Sequence, residues 1–370
     1  MSGRRTASVF LPHGPAMGDN RKMPDRSAAL RVGVVGAGAF GRNHARVYRD
    51  LGADPSQNIE LAGVADLDYA RAQAIAKEFG AQAFRSVDEL IAAGVNAVSV
   101  AVPTVSHLDV ATLLMRSGVD VLIEKPLATT VAEADELIAL ARRHQRVAQA
   151  GHLERFNPAV RATVPLLTQP MFFEVHRLSV FTPRSLDVDV ILDLMIHDLD
   201  VVLSFVKSPV KEIRAVGLPI LSKKVDIANV RMEFESGCVA NFTASRVSTE
   251  RIRKLRFFQP HQYVSLDYSR QDVLVLTVED ASPELADLDP FNPASLTAGA
   301  FPAIAPFKPK IEQQEPLRAE LTSFLQAVRE RSSPAVTLED GRRALATAMR
   351  IVEAIAEHSR RARLIELTQG

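Results

Sequence analysis

The stretch LRVGVVGAGAFGRNHARVYRDLG, from residue 30, constrains the fold more than any other. A short Val-rich apolar run enters three glycines and then a segment of helical period, so a buried strand turns directly into a helix. Gly36, Gly38 and Gly41 form G-x-G-x-x-G at that turn, with Ala37, Ala39 and Phe40 between them. Each glycine has its own physical reason: a tight turn, close approach of backbone to a pyrophosphate, and packing of helix on strand. The free N–H groups at the helix start attract phosphate charge. The motif alone is weak, but here it lies inside a βαβ pattern whose next strand ends at Asp66. An acidic residue there can accept from adenosine ribose hydroxyls and repels a 2′-phosphate; Leu67 rather than Arg follows it, which favours NAD over NADP. Asp66 could otherwise cap a helix starting near Tyr69.

Strand-like runs at 30–36, 59–66, 97–102, 120–124 and 146–150 alternate with helical segments near 39–51, 69–79, 87–93, 107–117 and 131–144. Capping boxes open two of these helices, Ser86 with Glu89 and Thr130 with Glu133. Alternation of this kind implies right-handed crossovers and a parallel, doubly wound sheet, ending near Ala150. Residues 1–29, rich in Pro, Gly, Arg and Ser, read as a flexible tail, with Met17 and Met23 as alternative starts. The chain has 44 basic and 44 acidic residues and no Lys/Arg run, which gives no electrostatic basis for nucleic-acid binding. No stretch approaches the roughly 18 apolar residues of a membrane span. The single Cys238 excludes an internal disulfide, suits a reducing, cytoplasmic setting and reads as a small core residue.

Ligands of open α/β sheets bind beyond the carboxyl ends of the strands. Two such ends carry chemistry. The run AVSVAV leads into VPTVSH, placing Pro103, Thr104 and His107 beside a cofactor, although His107 also reads as an ordinary first-turn helix residue. The run DVLIE ends in Glu124-Lys125-Pro126. Glu124 can accept from a ribose hydroxyl, and the Lys125 ammonium can meet a substrate oxygen gaining negative charge. Pro126 restricts Lys125 to extended backbone and is a place where a cis bond is tolerated. A solvated charge pair before a turn is the plainer reading.

From 151 to 370 the pattern changes. A short helix after HLERFNPAV is followed by MFFEVHRLSV, the apolar segment 187–206, and six strand-like runs without long helices between them, which indicates a mainly antiparallel sheet. A Pro-rich loop at about 281–310 precedes helices near 315–331 and 338–360, which could pack back on the first domain. Within the helical pattern from 189 to 206, Asp193 and His197 lie four apart on one face among Ile191, Leu192, Leu194, Met195 and Ile196. A buried imidazole and carboxylate are a satisfied core pair, metal ligands or catalysts; no third metal ligand is evident.

GAGAFGRNHA, VPTVSH, EKPLA and DLMIHDLD, in that order, resemble the Gfo/Idh/MocA family of NAD(P)-dependent sugar and inositol oxidoreductases, over residues 30–367. The resemblance implies a Rossmann domain at 30–150 and, at 151–370, an α/β domain with an open sheet that binds substrate and forms a homodimer or homotetramer interface. It also implies Lys125, Asp193 and His197 as the catalytic set: His197 accepts the hydroxyl proton, Lys125 steadies the alkoxide, and Asp193 fixes the imidazole. HLERFNPAV and the HRLSVFTPRSLDVDVILDLMIHDLD that follows resemble the branch that oxidises the 3-hydroxyl of UDP-N-acetylglucosamine for a partner aminotransferase making diamino sugars of lipid A or surface glycans. Arg155, Arg177 and Arg184 then read as pyrophosphate forks or as salt-bridge partners, and Asn157 as a sugar or uracil contact or a helix cap. A sister enzyme of free sugars or inositol, and a dinucleotide-binding sensor without turnover, are the other readings.

Overall fold

The computed structural model describes residues 29–181, 188–278 and 304–362. The expected tail, Arg184 and most of the Pro-rich loop lie outside them.

The first half forms β1 (Leu30–Val35), α1 (Ala39–Gly52), β2 (Ile59–Ala65), α2 (Tyr69–Phe79), β3 (Gln82–Phe84), α3 (Val87–Ala92), β4 (Ala97–Val100), α4 (His107–Arg116), β5 (Asp120–Glu124), α5 (Val131–Arg143) and β6 (Ala148–Gly151). The six strands are parallel, in the order β3-β2-β1-β4-β5-β6. All four β4 residues are buried, as are the first four of β5, because helices cover both faces. Strand order reverses between β1 and β4, so a crevice opens beyond their carboxyl ends. The short β3 was not in the expected strand set, and it completes the outer edge.

The second half forms α6 (Pro158–Thr163), β7 (Phe172–Val180), a π-helical turn (Ile191–Met195), α7 (Ile196–Phe205), β8 (Val210–Leu218), β9 (Ile227–Phe234), β10 (Val239–Ser248), β11 (Ile252–Gln259), β12 (Gln262–Asp267), β13 (Asp272–Val278), β14 (Ile304–Phe307), α8 (Pro316–Glu330) and α9 (Leu338–Arg361). Its eight strands run β14-β13-β12-β11-β7-β10-β9-β8, antiparallel except where β7 meets β10. β14 corrects the expectation of an unstructured loop to residue 310. The molecule is therefore an α/β protein of a parallel doubly wound sheet and a mainly antiparallel open sheet.

Alternation fixes which face of the second sheet is covered. Phe173 and Val175 of β7, with Leu255 and Phe257 of β11, point to one side and share a buried core with Leu199, Val202 and Phe205 of α7. The Phe173 and Phe257 rings stand 5.5 Å apart. α8 returns to the first sheet: its Leu321, Phe324 and Leu325 pack with Val32 of β1 and Val47 of α1. The capping box at Thr337 and Asp340 starts α9 where the chain bridges to β6 through Gln149. The π-helical turn that leads into α7 lines the open crevice.

Candidate active site

Three glycines at the β1 to α1 turn do different things. Gly36 has φ +103°, and a Cβ there would lie 2.4 Å from the Ala101 carbonyl oxygen, so only glycine fits. A Cβ on Gly41 would lie 1.7 Å from the Gly36 carbonyl oxygen. Gly38, the N-cap of α1, would meet nothing within 4 Å, and no side chain caps the helix there. Open space in front of uncapped N–H groups fits the pyrophosphate of a dinucleotide. Asp66 accepts from the Ala37 N–H at 2.5 Å and from the Asp68 N–H at 2.7 Å, which points its carboxylate at the glycine turn. The cap of α2 is Asp68, not Asp66.

From this turn a cleft of about 500 Å³ extends along the strand ends, lined by Phe40, Pro103, Thr104, Glu124, Lys125 and, from the second half, Leu192 and Asp193. His107 does not reach it. The ring is buried, with Nδ1 3.2 Å from the Leu127 carbonyl and Nε2 3.0 Å from the Val102 carbonyl, and burial lowers its pKa. It ties the β4 and β5 ends together rather than lining the cofactor cleft. Glu124 is held from below by His44 of α1, whose Nε2 is 2.9 Å from Oε1. Burial pushes the Glu124 carboxyl up, but the His44 hydrogen bond together with the His44 and Lys125 charges more than offsets it and holds the group below its usual range. His44 was not singled out in the sequence, although its spacing with Gly41, Ala45 and Tyr48 marks the buried face of α1.

The Lys125–Pro126 bond is cis. Lys125 reaches across to the π-helical turn: its Nζ donates to the Asp193 carbonyl at 2.8 Å and stands 3.6 Å from Asp193 Oδ1. In that turn the Ile196 N–H bonds the Ile191 carbonyl five residues back, an arrangement common at functional sites. Burial pulls the Lys125 pKa down, and the Asp193 and Glu124 carboxylates only partly restore it.

His197 lies one residue into α7. Burial, then the nearby Lys125 and Arg177 charges, push its pKa well below the ordinary histidine value, so the imidazole is neutral at pH 7. Its Nδ1 is enclosed and has no hydrogen-bond partner. This corrects the expected role of Asp193: the π turn carries its carboxylate to Lys125, and no hydrogen bond joins it to His197.

Of the three candidate phosphate forks, the two that the structure describes make ion pairs. Arg177 is buried, donating through Nε to Asp198 at 2.6 Å and through Nη2 to Glu154 at 3.0 Å; it is a structural charge beneath the site. Arg155 faces the buried Asp200 at 3.4 Å. Asn157 is buried, caps α6 by accepting from the Ala159 N–H, and donates to Glu154 and the Tyr268 carbonyl. Arg253 of β11, in contrast, was not foreseen and lies within electrostatic reach of His197.

A crevice at the carboxyl ends of a doubly wound sheet, lined by a buried ammonium with a neutral imidazole within that ammonium's electrostatic reach, is the arrangement of an oxidoreductase. Residues 30–152 match the family model described as Gfo/Idh/MocA oxidoreductase family, NAD-binding Rossmann fold, and residues 169–258 match the Gfo/Idh/MocA C-terminal domain. UDP-N-acetylglucosamine 3-dehydrogenase of Acidithiobacillus ferrooxidans is 35% identical over 88% of this chain and 97% of its own. A solved structure of that enzyme superposes with a TM-score of 0.77, at 34% identity, covering 88% of this chain and 98% of that one. Levoglucosan dehydrogenase in complex with NADH and levoglucosan shares the fold, with a TM-score of 0.73 at 18% identity over 89% of this chain and 97% of that one. The chain belongs to the Gfo/Idh/MocA oxidoreductase family.

Proposed function

We propose that the protein oxidises the 3-hydroxyl of UDP-N-acetylglucosamine to the 3-keto nucleotide sugar, with NAD rather than NADP. The observation that carries this reading is the 35% identity to UDP-N-acetylglucosamine 3-dehydrogenase across 97% of that enzyme, both sheets included. Asp66 beside the glycine turn supports NAD, since a 2′-phosphate would meet its carboxylate.

The bound nicotinamide supplies the hydride acceptor. His197, neutral at pH 7, takes the hydroxyl proton: the substrate O–H breaks as an N–H forms on the ring. The Lys125 ammonium donates to the oxygen as its negative charge develops. Asp193 aims that ammonium through its carbonyl and its carboxylate. Glu124, oriented by His44, would accept from a ribose hydroxyl of the bound cofactor. Loss of the carbinol hydrogen as hydride leaves the ketone, which an aminotransferase is suited to consume for diamino sugars of lipid A or surface glycans. The family resemblance supports a homo-oligomer through the outer face of the second sheet, and the free, buried Cys238 supports a reducing cytoplasm.

The test is NADH formation with UDP-N-acetylglucosamine, compared with glucose, xylose and myo-inositol, repeated with NADP and with an aminotransferase present to draw off ketone. Turnover confined to unphosphorylated substrates rejects the reading. That outcome is the second reading, favoured by inositol 2-dehydrogenase 1 of Saccharopolyspora erythraea, 34% identical over 47% of this chain and 53% of its own. Lys125→Ala should abolish turnover with little change in NAD affinity by calorimetry; normal turnover would remove Lys125 from the mechanism.

A further inference from the structure

We propose that Arg253 binds a phosphate of the substrate, the contact that Arg155 and Arg177 are committed elsewhere not to make. The inference rests on the nucleotide-sugar reading. Arg253 is the second residue of β11 and lies opposite Arg177 of β7 in the antiparallel ladder. It is in phase with the buried Leu255 and Phe257, so its side chain projects to the covered face, toward α7 and His197.

The two arginines share this region unequally. Arg177 takes both nearby carboxylates, those of Asp198 and Glu154. Arg253 is half-buried, its Nε is enclosed without a hydrogen-bond partner, and no ion pair to it occurs among the described residues. The charged groups that face it are Arg177, Arg251, Glu154 and Asp198; burial first and Arg177 next lower its pKa, so the protein around it destabilises the charge it carries. Phosphate oxygens would relieve that imbalance with the paired N–H geometry that suits a guanidinium. The position fits the substrate's chemistry. In a hexose 1-phosphate ester the carbon that bears the phosphate is separated from C3 by a single ring carbon, so a cation beside the base that serves the 3-hydroxyl is within reach of that phosphate.

Calorimetry would compare UDP-N-acetylglucosamine, UDP, N-acetylglucosamine 1-phosphate and N-acetylglucosamine on the wild-type enzyme, R253M and R253K, at low and high salt. R253M should weaken the phosphorylated ligands by roughly 10- to 100-fold, flatten their salt dependence and leave NAD and the uncharged sugar unaffected. R253K, which keeps the charge and loses the fork, should fall between. The melting temperature of R253M should hold or rise, because a like-charge neighbour of Arg177 is gone. Wild-type protein that ignores UDP-N-acetylglucosamine refutes the substrate reading. Wild-type binding that R253M leaves intact refutes the Arg253 assignment alone. If R253M does not fold, unchanged phosphate affinity in R253K overturns the assignment.

Discussion

Gly38→Ala separates the cofactor's requirements from those of the fold. The residue has φ −76° and ψ −171°, which any L-residue adopts, and a Cβ there has no neighbour within 4 Å. Two backbone effects then oppose each other. Reduced freedom of the unfolded chain stabilises by about 0.4–1 kcal/mol. Glycine is a better N-cap than alanine by a similar amount, about 0.5–1 kcal/mol. The net is within about 0.5 kcal/mol, a melting shift of no more than about 2 °C. The dinucleotide, however, needs that open volume for its pyrophosphate, and a methyl group there holds the phosphate off the α1 N–H groups. NAD affinity should fall at least about tenfold, or 1.4 kcal/mol. Gly41→Ala is the control of opposite sense: with its Cβ 1.7 Å from the Gly36 carbonyl oxygen, it should cost at least the roughly 1–3 kcal/mol typical of overpacking. Thermal melts and NAD calorimetry on both variants decide the matter. Wild-type NAD affinity in Gly38→Ala would show that the pyrophosphate does not cross Gly38, and a melting loss equal to that of Gly41→Ala would refute the steric reasoning.

The pH dependence of kcat/KM should be a plateau through neutrality with two limbs. It falls in acid only below the ordinary histidine range of about 6.5, as His197 gains a proton, and falls in alkali before pH 10.5, as Lys125 loses one. An acid limb at 6.5 or higher would contradict the burial of His197. Arg177→Met should destabilise by about 3–5 kcal/mol in urea unfolding, because Asp198 and Glu154 would be left as uncompensated buried carboxylates. A loss under about 1 kcal/mol would mean that those carboxyls are neutral in the fold.

What the sequence made legible was chemistry whose partners are close in the chain. The glycine turn, the β1 to β6 alternation and the end of β5 follow from periods of two and 3.6 and from backbone limits on glycine and proline. β3 spans three residues, too few for an alternating pattern, and β14 hides among prolines. For Arg177 the fork and salt-bridge readings stayed open because its carboxylates lie 21 and 23 residues away, on α7 and in the turn after β6. His44 was overlooked for the same reason: its partner Glu124 is 80 residues distant. A spacing of four residues between Asp193 and His197 suggests an α-helical pair, whereas in the π turn the Asp193 carboxylate faces Lys125 instead.

That contact joins the two halves of the chain at the cleft. Lys125 belongs to the parallel sheet, and Asp193 leads into the helix that covers the antiparallel one. One N–H of the ammonium is committed to the Asp193 carbonyl, and its charge faces the carboxylate at 3.6 Å. Three donors on a compact head leave at least one for a substrate oxygen, which a planar guanidinium on a longer stem could not present in the same volume. The bond that positions the ammonium also ties the end of β5 to the π turn that leads into α7. In the proposed mechanism, a shift of one sheet relative to the other would draw Lys125 away from Asp193 and so misplace the ammonium.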